Sequence, residues 1–257
     1  MAAVHKPTHR ISEAERQTRI DLAACHRLAV HFGLHEGIDN HLTALLPDAT
    51  DRFLLAPFGL HWSEVKASDF MVVDFDGRRV WGDGAIEDTA LHIHRPLHRL
   101  APHARSVLHT HMPFATALCM LEDPTLQMTG QGALMFHGDV AYYTDYNGLA
   151  LDDAEGARMA AAIGSKSVLM LSNHGVVVVG HTLSETFERL YFLERAAQVQ
   201  VLAMSTGQPL RAIPPEVIEA TIAQYRDVTH VESRSRADLH FSALKRMLDR
   251  TDSSYAT

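Results

Sequence analysis

The chain contains the stretch SVLHTHMPFATALCML at residues 106–121, in which an apolar strand, two histidines and a helix follow one another. A second apolar stretch, SVLMLSNHGVVVV at residues 167–179, is interrupted by the turn Ser172–Gly175. His109 and His111 are two residues apart in an extended segment, so their side chains point to the same side of it. His174 lies where the first half of the second stretch ends. The two stretches therefore predict that three imidazoles converge on one point.

Convergence of these three imidazoles predicts a metal site. A divalent ion held by three neutral histidines keeps one coordination position free for water or substrate, which is the ligand number of a catalytic rather than a structural zinc site. The alternative is that the spacing arises by chance among 18 histidines in 257 residues. Each imidazole is then a hydrogen-bonded surface or core side chain. The spacing alone leaves both interpretations open.

The amino-acid composition excludes several classes of protein. The chain is 46% hydrophobic and 21% charged, which is typical of a globular domain with a substantial core. Its net charge of −8, with Lys and Arg scattered, argues against nucleic acid or a membrane surface as the main partner and favours a small molecule or a metal. Cys25 and Cys119 lie in predicted helices, so no disulfide framework is expected. No secretory signal and no run of about 18 apolar residues is found, and the predicted compartment is the cytoplasm.

Apolar periodicity predicts an alternation of helices and short strands. Hairpin signals such as Asp76-Gly77 dominate the middle of the chain, so we expect an α/β fold with a mostly antiparallel or mixed central sheet covered by helices. No linker divides it, and we predict a single domain over 1–257, with a core at about 11–207 and a helical extension at 208–257. Pro96 is expected to kink or end one helix. The predicted helices span 11–32, 87–100, 113–121, 152–163, 183–204, 215–225 and 237–248, and the predicted strands span 41–46, 53–56, 70–74, 79–81, 106–109, 133–136, 140–143, 167–171 and 176–179.

The order of the motifs resembles that of the class II aldolase and adducin-domain family, from about Ile11 to Gly207. The resemblance implies a three-layer α/β/α fold with nine strands, and homotetramers with sites near subunit interfaces. It also implies a divalent ion, most commonly zinc, bound by His109, His111 and His174; Mn²⁺, Co²⁺ and Fe²⁺ are alternatives. The motifs that carry the resemblance are Asn40-His41-Leu42-Thr43, Leu55–Leu60, Val107–His111, Tyr143–Gly148 and Ser172–Gly175 before a long helix.

The enzymes of this family cleave carbon–carbon bonds by stabilising an enediolate on the metal. Asn40 matches a family position whose side chain lies near the substrate. The family's acid/base Glu, counted back from His109, falls on Ala90, which cannot transfer a proton. Glu87, one turn earlier on the predicted helix face, or Asp88 could replace it, the alternative being that both are helix N-terminal charges favoured by the macrodipole.

A proton-donating tyrosine is also implied by the resemblance. Tyr146, with Tyr142 and Tyr143 as alternatives, lies in a polar aromatic stretch where a phenol could donate a proton near the metal. The ordinary interpretation of this stretch is a sheet edge followed by a turn. Elsewhere, His94 and His98 share a helix face four residues apart, but without a Glu between them in an HExxH pattern we interpret them, with His92, as helix-surface or core side chains.

The sequence departs from the sugar-phosphate aldolases at the positions of their phosphate pocket. Phe58 beside Gly59 and Asp88 beside Thr89 stand where those enzymes hold phosphate, with no Lys or Arg among them, and a carboxylate repels a dianion. We therefore expect an unphosphorylated substrate, a hydroxy or keto acid or an aromatic carboxylate. Phe58, Gly59, His61 and Trp62 then line its site, unless they only pack a hairpin against the sheet.

Three functions are compatible with these motifs. The first is a metal-dependent lyase acting by retro-aldol cleavage or decarboxylation, and the loss of the Glu at Ala90 slightly favours decarboxylation. The second is a non-heme iron oxygenase, because three histidines with open positions also suit Fe²⁺. The third is a non-catalytic interaction module, as in adducin. An intact histidine triad argues against the third.

Overall fold

The computed structural model describes residues 10–227, 230–231 and 234–257. These residues form one sheet of eight strands, with a separate short antiparallel pair near the C-terminus. The strands of the main sheet are β1 (His41–Leu45), β2 (Arg52–Leu55), β3 (Met71–Asp74), β4 (Arg79–Trp81), β5 (Ser106–Thr110), β6 (Val140–Tyr143), β7 (Val168–Leu171) and β8 (Gly175–Gly180), and the short pair is β9 (His230–Val231) and β10 (Arg234–Ser235). The order across the main sheet is β4-β3-β2-β1-β5-β8-β7-β6.

Helices cover both faces of this sheet. They are α1 (Glu13–Phe32), α2 (Asp88–Leu100), α3 (Pro113–Cys119), α4 (Asp153–Ile163), α5 (Leu183–Met204), α6 (Pro215–Asp227) and α7 (Arg236–Thr251). Successive strand residues face opposite sides: Leu108 of β5 packs in the cluster of α1, α3 and α5, whereas Val107 packs in the cluster of α2 and α4. The three-layer α/β/α fold is therefore confirmed.

Strand pairing in the sheet is antiparallel with one exception. The strands β6 and β7 run parallel, since α4 connects them as a crossover. All other neighbours are antiparallel. The hairpin predicted at Asp76-Gly77 joins β3 to β4, and Gly77 takes the left-handed conformation (φ 81°) that this turn requires. The predicted mixed, mostly antiparallel sheet is confirmed.

Two predictions about strands are wrong. The resemblance implies nine strands, but the main sheet of the described residues has eight. The sequence also predicts a strand over 133–136, where the structure has a 3-10 helix, Gln131–Phe136. Local hydrogen bonds explain the difference, because Ala133 N donates to Gly130 O and His137 N to Leu134 O, which leaves these groups unavailable for a neighbouring strand.

Pro96 was predicted to kink or end α2, and it does not end it. The helix runs from Asp88 to Leu100, and the proline lies buried inside it. Pro96 has no N–H to offer the carbonyl of His92. That carbonyl lies against α4 at Gly156, where an added Cβ would be 2.1 Å from His92 O and 2.6 Å from Pro96 Cγ. The glycine therefore permits the close packing of α2 on α4.

The C-terminal residues pack on the same core as the N-terminal helix. Phe241 of α7 lies 6.0 Å from Phe187 of α5 between ring centroids, and Lys245 Nζ is 2.5 Å from Asp21 Oδ1 of α1. Both cysteines are buried and free, as expected. Within the part of the chain that the structure describes, no helix is both long and apolar enough to cross a bilayer.

Candidate metal centre

The three histidines of the motifs meet at one end of the sheet. Because β5 is antiparallel to β8, the end of β5 lies beside the start of β8. His109 belongs to β5, His111 follows it, and His174 directly precedes β8. One ring nitrogen from each lies within 4.8 Å of the others, and the two Nε2 atoms of His109 and His111 are 3.2 Å apart. The structure thus brings the three predicted ligands together.

Two of the rings are held in the tautomer that a metal ligand requires. His109 Nδ1 lies 2.9 Å from the carbonyl of Val176, which can only accept a hydrogen bond, so Nδ1 carries the proton. His111 Nδ1 donates in the same way to the carboxylate of Glu36 at 2.5 Å. Each Nε2 therefore keeps a free lone pair on the side of the other histidines. Partners of this kind orient the ligand histidines of metalloproteins.

Burial keeps the rings of His109 and His174 neutral, as metal binding requires. Burial lowers the pKa of His109 well below its usual range, and the neighbouring rings of His174, His41 and His111 lower it further. Burial also lowers the pKa of His174 to about 4, assisted by His111 and opposed by the carboxylate of Glu155. Neutral imidazoles with inward lone pairs fit a divalent cation.

The turn that carries His174 is shaped by its two neighbours. Asn173 has a positive φ of 57°, a conformation that asparagine tolerates, and its N–H donates to Cys119 O at the end of α3. At Gly175 an added Cβ would lie 2.7 Å from both His111 Cδ2 and Thr110 O. The Asn-His-Gly string therefore combines a left-handed turn, a candidate ligand and room for the second histidine.

A narrow cleft lies beside the three histidines. It adjoins them through Asn40, whose Oδ1 is 3.4 Å from His111 N, and through His41, whose ring centroid is 4.8 Å from that of His109. Among the described residues, neither Lys nor Arg lines it. The polar and aromatic side chains of its lining, together with one glycine, are His26, Asn40, His41, Phe58, Gly59, Trp62 and Glu87.

The side chain of Asn40 makes hydrogen bonds that fix the loop before β1. Its Oδ1 accepts hydrogen bonds from the N–H groups of Glu36, at 2.8 Å, and His111, and its Nδ2 donates to Asp39 O at 3.0 Å. The side chain thereby holds the loop before β1 against the candidate ligand His111. One Nδ2 hydrogen is left without a partner among the described residues.

Glu87 lies in the cleft but not on the helix, contrary to the prediction of a shared helix face. It is the N-cap of α2, with extended backbone angles, so the helix begins one residue later. Burial raises the pKa of Glu87; Asp39 and Asp88 also raise it, while the hydrogen bond from Thr89 and the ring of His111 lower it. Ala90 is buried in the core against β2 and β3. The position that carries Glu in the family count is thus a packing position here.

The remaining predicted site residues are spread more widely. Phe58 is half-exposed at the cleft, and Gly59 forms a turn with a positive φ of 98°. His61 does not line the cleft; its Nδ1 bonds the hydroxyl of Ser63. Tyr146 is 54% exposed on the loop after β6. No hydrogen bond or ring contact joins Tyr146 to the three histidines within the described ranges.

Several residues of the site carry no recognisable sequence signal. Glu36, the partner of His111, is 75 residues away from it in the chain. Glu155, near the start of α4, is buried and acts electrostatically on His174. His94 and His98 take core positions, as interpreted from the sequence, but they also bond Thr43 behind the site. His41 and Thr43 stand inside a quoted motif, Asn40-His41-Leu42-Thr43, but the sequence indicates no role for either.

Fold and site together define a three-layer α/β/α protein with a three-histidine centre at one end of its sheet. The chain belongs to the class II aldolase and adducin N-terminal domain family, whose model matches residues 20–201.

Relatives from two groups match the chain over most of its length. It is 34% identical to the Pseudomonas aeruginosa protein called "Putative aldolase class 2 protein", over 99% of both chains. It is 33% identical to an adducin-related protein of Schizosaccharomyces pombe, over 97% of this chain and 79% of that protein. Against mouse alpha-adducin the identity is 33% over 77% of this chain, which spans only 27% of adducin.

Solved structures agree with this assignment. An aldolase II superfamily protein from Pseudomonas syringae superposes with a TM-score of 0.89 at 33% identity, covering 96% of this chain and 98% of that one. L-fuculose 1-phosphate aldolase from Glaciozyma antarctica superposes with a TM-score of 0.81 at 25% identity, over 97% and 96% of the two chains.

Proposed function

We propose that the protein is a metal-dependent lyase that breaks a carbon–carbon bond of an unphosphorylated hydroxy or keto acid or aromatic carboxylate. The observation that carries the proposal is the convergence of His109, His111 and His174, two of them with Nε2 free, beside a cleft that contains a protonatable carboxyl. Zinc suits three imidazole ligands, and Mn²⁺, Co²⁺ and Fe²⁺ are the alternatives.

The chain supplies the binding and proton-transfer groups of this reaction. A divalent ion bound to the three histidines supplies Lewis-acid stabilisation of the negative charge that develops on substrate oxygen. We propose that the free Nδ2 hydrogen of Asn40 donates to such an oxygen. Glu87 is the proton-transfer group, because its raised pKa increases the fraction that carries a proton near neutral pH.

Glu87 serves either form of bond cleavage. In a retro-aldol reaction its carboxylate takes the hydroxyl proton, the carbon–carbon bond breaks to leave an aldehyde, and the same carboxyl returns the proton to the carbon that keeps the electron pair. In decarboxylation carbon dioxide leaves, protonated Glu87 gives its proton to that carbon, and water restores it. Tyr146 is proposed as a second proton donor, supplied from the loop after β6.

The cleft lining supports an unphosphorylated substrate. A phosphate dianion needs cationic or N–H donors, whereas this lining carries the acidic side chain of Glu87 and the aromatic surfaces of Phe58 and Trp62. Gly59 leaves open the approach beside Phe58. For His61 we propose a place at the edge of the substrate site only, since its ring bonds Ser63 and does not line the cleft.

A homotetramer in the cytoplasm completes the proposal. The loop after β6 presents apolar side chains to solvent, with Leu149 73% and Leu151 62% exposed, and Val199 on α5 is 63% exposed. Such surfaces support subunit contacts. Light scattering on the purified protein measures the mass, and a monomer would contradict the assembly.

The experiment that tests the lyase proposal measures metal and products together. Protein purified without added ions is analysed by elemental mass spectrometry, then assayed on hydroxy, keto and aromatic carboxylates for released aldehyde and carbon dioxide. Wild-type protein is expected to hold one divalent ion per chain, and H109A to lose both ion and turnover. Full turnover in metal-free H109A would overturn the mechanism. Stoichiometric oxygen uptake would instead indicate the iron oxygenase.

An adducin-like interaction module is the second candidate function. The 33% identity to the adducin-related yeast protein and to alpha-adducin favours it. A scaffold has no need for three convergent imidazoles with prepared tautomers, whereas a lyase does. A protein that binds no divalent ion tightly, and turns over none of the carboxylates, would support the module.

A further inference from the structure

A row of buried polar side chains extends from the three histidines into the layer between the sheet and α2. His41 and Thr43 occupy alternate positions of β1 and so point to one face of the sheet. His94 and His98 lie one turn apart on the opposing face of α2. All four are buried. The contacts are His41 Nδ1 to His94 Nε2 at 2.7 Å, His94 Nδ1 to Thr43 Oγ1 at 2.5 Å, Thr43 Oγ1 to His98 Nε2 at 2.8 Å, and His98 Nδ1 to Ala104 O at 2.5 Å.

The position of every proton in this row follows from the carbonyl at its far end. Ala104 O can only accept, so His98 Nδ1 carries a hydrogen and donates it. The Nε2 of a neutral His98 is then an acceptor, and the Thr43 hydroxyl must donate to it. Burial supports the neutral form, since it lowers the pKa of His98 to about 4.

Thr43 has a single hydroxyl proton, and this decides the state of His94. With that proton on His98, Thr43 Oγ1 can only accept from His94, so His94 Nδ1 is the donor. His94 Nε2 is then an acceptor for His41 Nδ1. His41 therefore carries its proton on Nδ1. Both rings are buried, and burial disfavours the charged form of an imidazole.

The one nitrogen without an assigned partner is His41 Nε2. It makes no hydrogen bond with the described residues, yet it is not one of the polar atoms buried without a partner. His41 lines the cleft next to Asn40 and Glu87. An unprotonated imidazole nitrogen therefore borders the space that the proposed function assigns to substrate.

We propose that His41 is a specificity-determining residue: the relay from Ala104 O through His98, Thr43 and His94 holds its proton on Nδ1 and so presents Nε2 as a hydrogen-bond acceptor for a substrate hydroxyl. The relay residues are positioning residues, because they act only through His41. The inference rests on the proposed function in taking the cleft as the substrate site. It narrows the substrate to hydroxy acids and phenolic carboxylates, since a keto oxygen cannot donate to Nε2.

The tautomer is tested without any turnover. Zinc-loaded protein with ¹⁵N-labelled histidine is studied by two-bond ¹H–¹⁵N correlation, which distinguishes a protonated from an unprotonated ring nitrogen, and single His-to-Gln variants assign the signals. His41, His94 and His98 are all expected to be neutral with the proton on Nδ1. A proton on Nε2 of His41 in the wild-type protein would overturn the proposal, whatever the protein's activity.

Two variants of Thr43 test the relay itself. Thr43→Val keeps the shape but removes the hydroxyl, so His94 loses its acceptor and His41 is expected to populate both tautomers. Thr43→Ser keeps the hydroxyl and is expected to keep the wild-type signals. Zinc content should be unchanged in both. If Thr43→Val folds and leaves His41 fully protonated on Nδ1, the relay role is wrong; if it does not fold, the wild-type spectrum and the ligand test below still decide.

Glycolate and acetate test the acceptor with and without a hydroxyl. Glycolate added to the zinc-loaded wild-type protein is expected to move the His41 Nε2 signal upfield, because the nitrogen accepts a hydrogen bond, while acetate leaves it in place. An equal response to both anions, or none to glycolate, contradicts the role of Nε2. The absence of lyase turnover with an intact glycolate response would overturn the proposed reaction alone.

Discussion

Asn173 and Gly175 flank His174, and each has a different steric role in the candidate metal centre. The first accepts a positive φ, and the second leaves the space that the His111 ring fills. Neither offers a ligand atom. The Asn-His-Gly motif therefore sets the local backbone geometry as well as providing a candidate ligand.

Gly175→Ala is expected to weaken metal binding without unfolding the protein. The new Cβ would lie 2.7 Å from His111 Cδ2, so that ring must move away from His109. Loss of ligand orientation typically costs 10- to 100-fold in metal affinity, and about that loss is expected in a zinc competition titration. Gly132→Ala is the control, because nothing lies within 4 Å of its added Cβ. Equal zinc affinity in both variants would show that His111 does not need this space.

Glu87→Gln is expected to lower kcat by about 10²- to 10⁴-fold, the usual contribution of a general acid or base. The amide keeps the size of the side chain and its hydrogen bond with Thr89 but cannot transfer a proton. Zinc content should be unchanged, since Glu87 is not one of the convergent ligands. Glu122→Gln, at an exposed position after α3 and outside the cleft lining, is the matched control and should keep most of the activity. Comparable loss in both variants would remove Glu87 from the mechanism.

Residues of the site divide into those a sequence can reveal and those it cannot. The three candidate ligands are predictable because His109 and His111 are two residues apart in one extended segment and His174 ends an apolar run. Glu36 and the relay residues are not, because their contacts join different elements and depend on how α2 lies on β1. Glu87 is only partly predictable. The sequence indicates a helix near this residue, but the position of its side chain depends on whether the helix begins at Glu87 or at Asp88, and in the structure it begins at Asp88.

The contact of α2 with α4 shows how one element sets the geometry of another. The proline in α2 leaves the His92 carbonyl without a helical donor, and the glycine in α4 lets that carbonyl approach the neighbouring backbone. The helix α2 thus continues past the proline, where a kink or an end was expected, and packs closely on α4. The helix α4 also places Glu155 near His174, so this contact bears on the site.

Gly156→Ala is expected to destabilise the protein by about 1–3 kcal/mol, the usual cost of overpacking. Helix propensity alone would favour alanine over glycine by about 1 kcal/mol, so the two effects have opposite signs. Urea unfolding measures the free energy of unfolding. Ala161→Gly, on the exposed side of α4, is the control for propensity and should cost about 1 kcal/mol. A stabilised Gly156→Ala protein would disprove the close contact.

Elements with a strong period were predictable within a few residues. The helix α5 matches the predicted 183–204 because its apolar residues repeat over six turns. The strands β3 and β4 are predictable because two β-prone runs flank the Asp76-Gly77 turn. The segment 131–136 was not predictable, because a short apolar run has no period and local 3-10 hydrogen bonds compete with strand pairing.

On the scale of the whole molecule, histidines form an unusual share of the buried polar groups. Each buried ring favours the neutral form, because a charged imidazole would lose its hydration without a compensating ion pair. His26 of α1 is one of them, with its ring 4.9 Å from Trp62 and 5.5 Å from Phe70 between centroids. Because these buried histidines lie in several elements, acid is expected to destabilise the fold as a whole.

The free energy of unfolding is expected to fall as the pH drops from about 6.5 to about 4. Burial lowers the pKa of His26 from 6.5 to about 4. In that window the unfolded chain binds a proton that the folded chain does not. The contribution of neutral His26 to the free energy of unfolding is therefore fully present above the pKa of the unfolded state, and it is lost as the pH falls to the pKa of the folded state. The effect of one such histidine is at most about 3 kcal/mol.

His26→Phe should therefore lose less stability than the wild-type protein between pH 7 and pH 4.5. Urea denaturation at a series of pH values gives both curves. His31→Phe is the control, because that ring is exposed and its replacement should leave the curve unchanged. Parallel curves for wild type and His26→Phe would show that His26 does not contribute to acid lability.

The whole fold was predictable as a class but not in every detail. Alternating helices and hairpins indicated a mixed sheet, and the motif order indicated the family. The position of α4 as the single parallel crossover, and the division of helices between two faces, depend on long-range packing that no local pattern encodes.

His109 lies near the end of β5, and His111 and His174 lie just outside the strands, after β5 and before β8. The neighbouring lining residues Phe58, Gly59 and Glu87 come from loops and a helix start. Such segments accept substitutions, insertions and deletions far more readily than paired strands do. Evolution can thus exchange one substrate for another, or abandon catalysis altogether, while the same scaffold continues to fold.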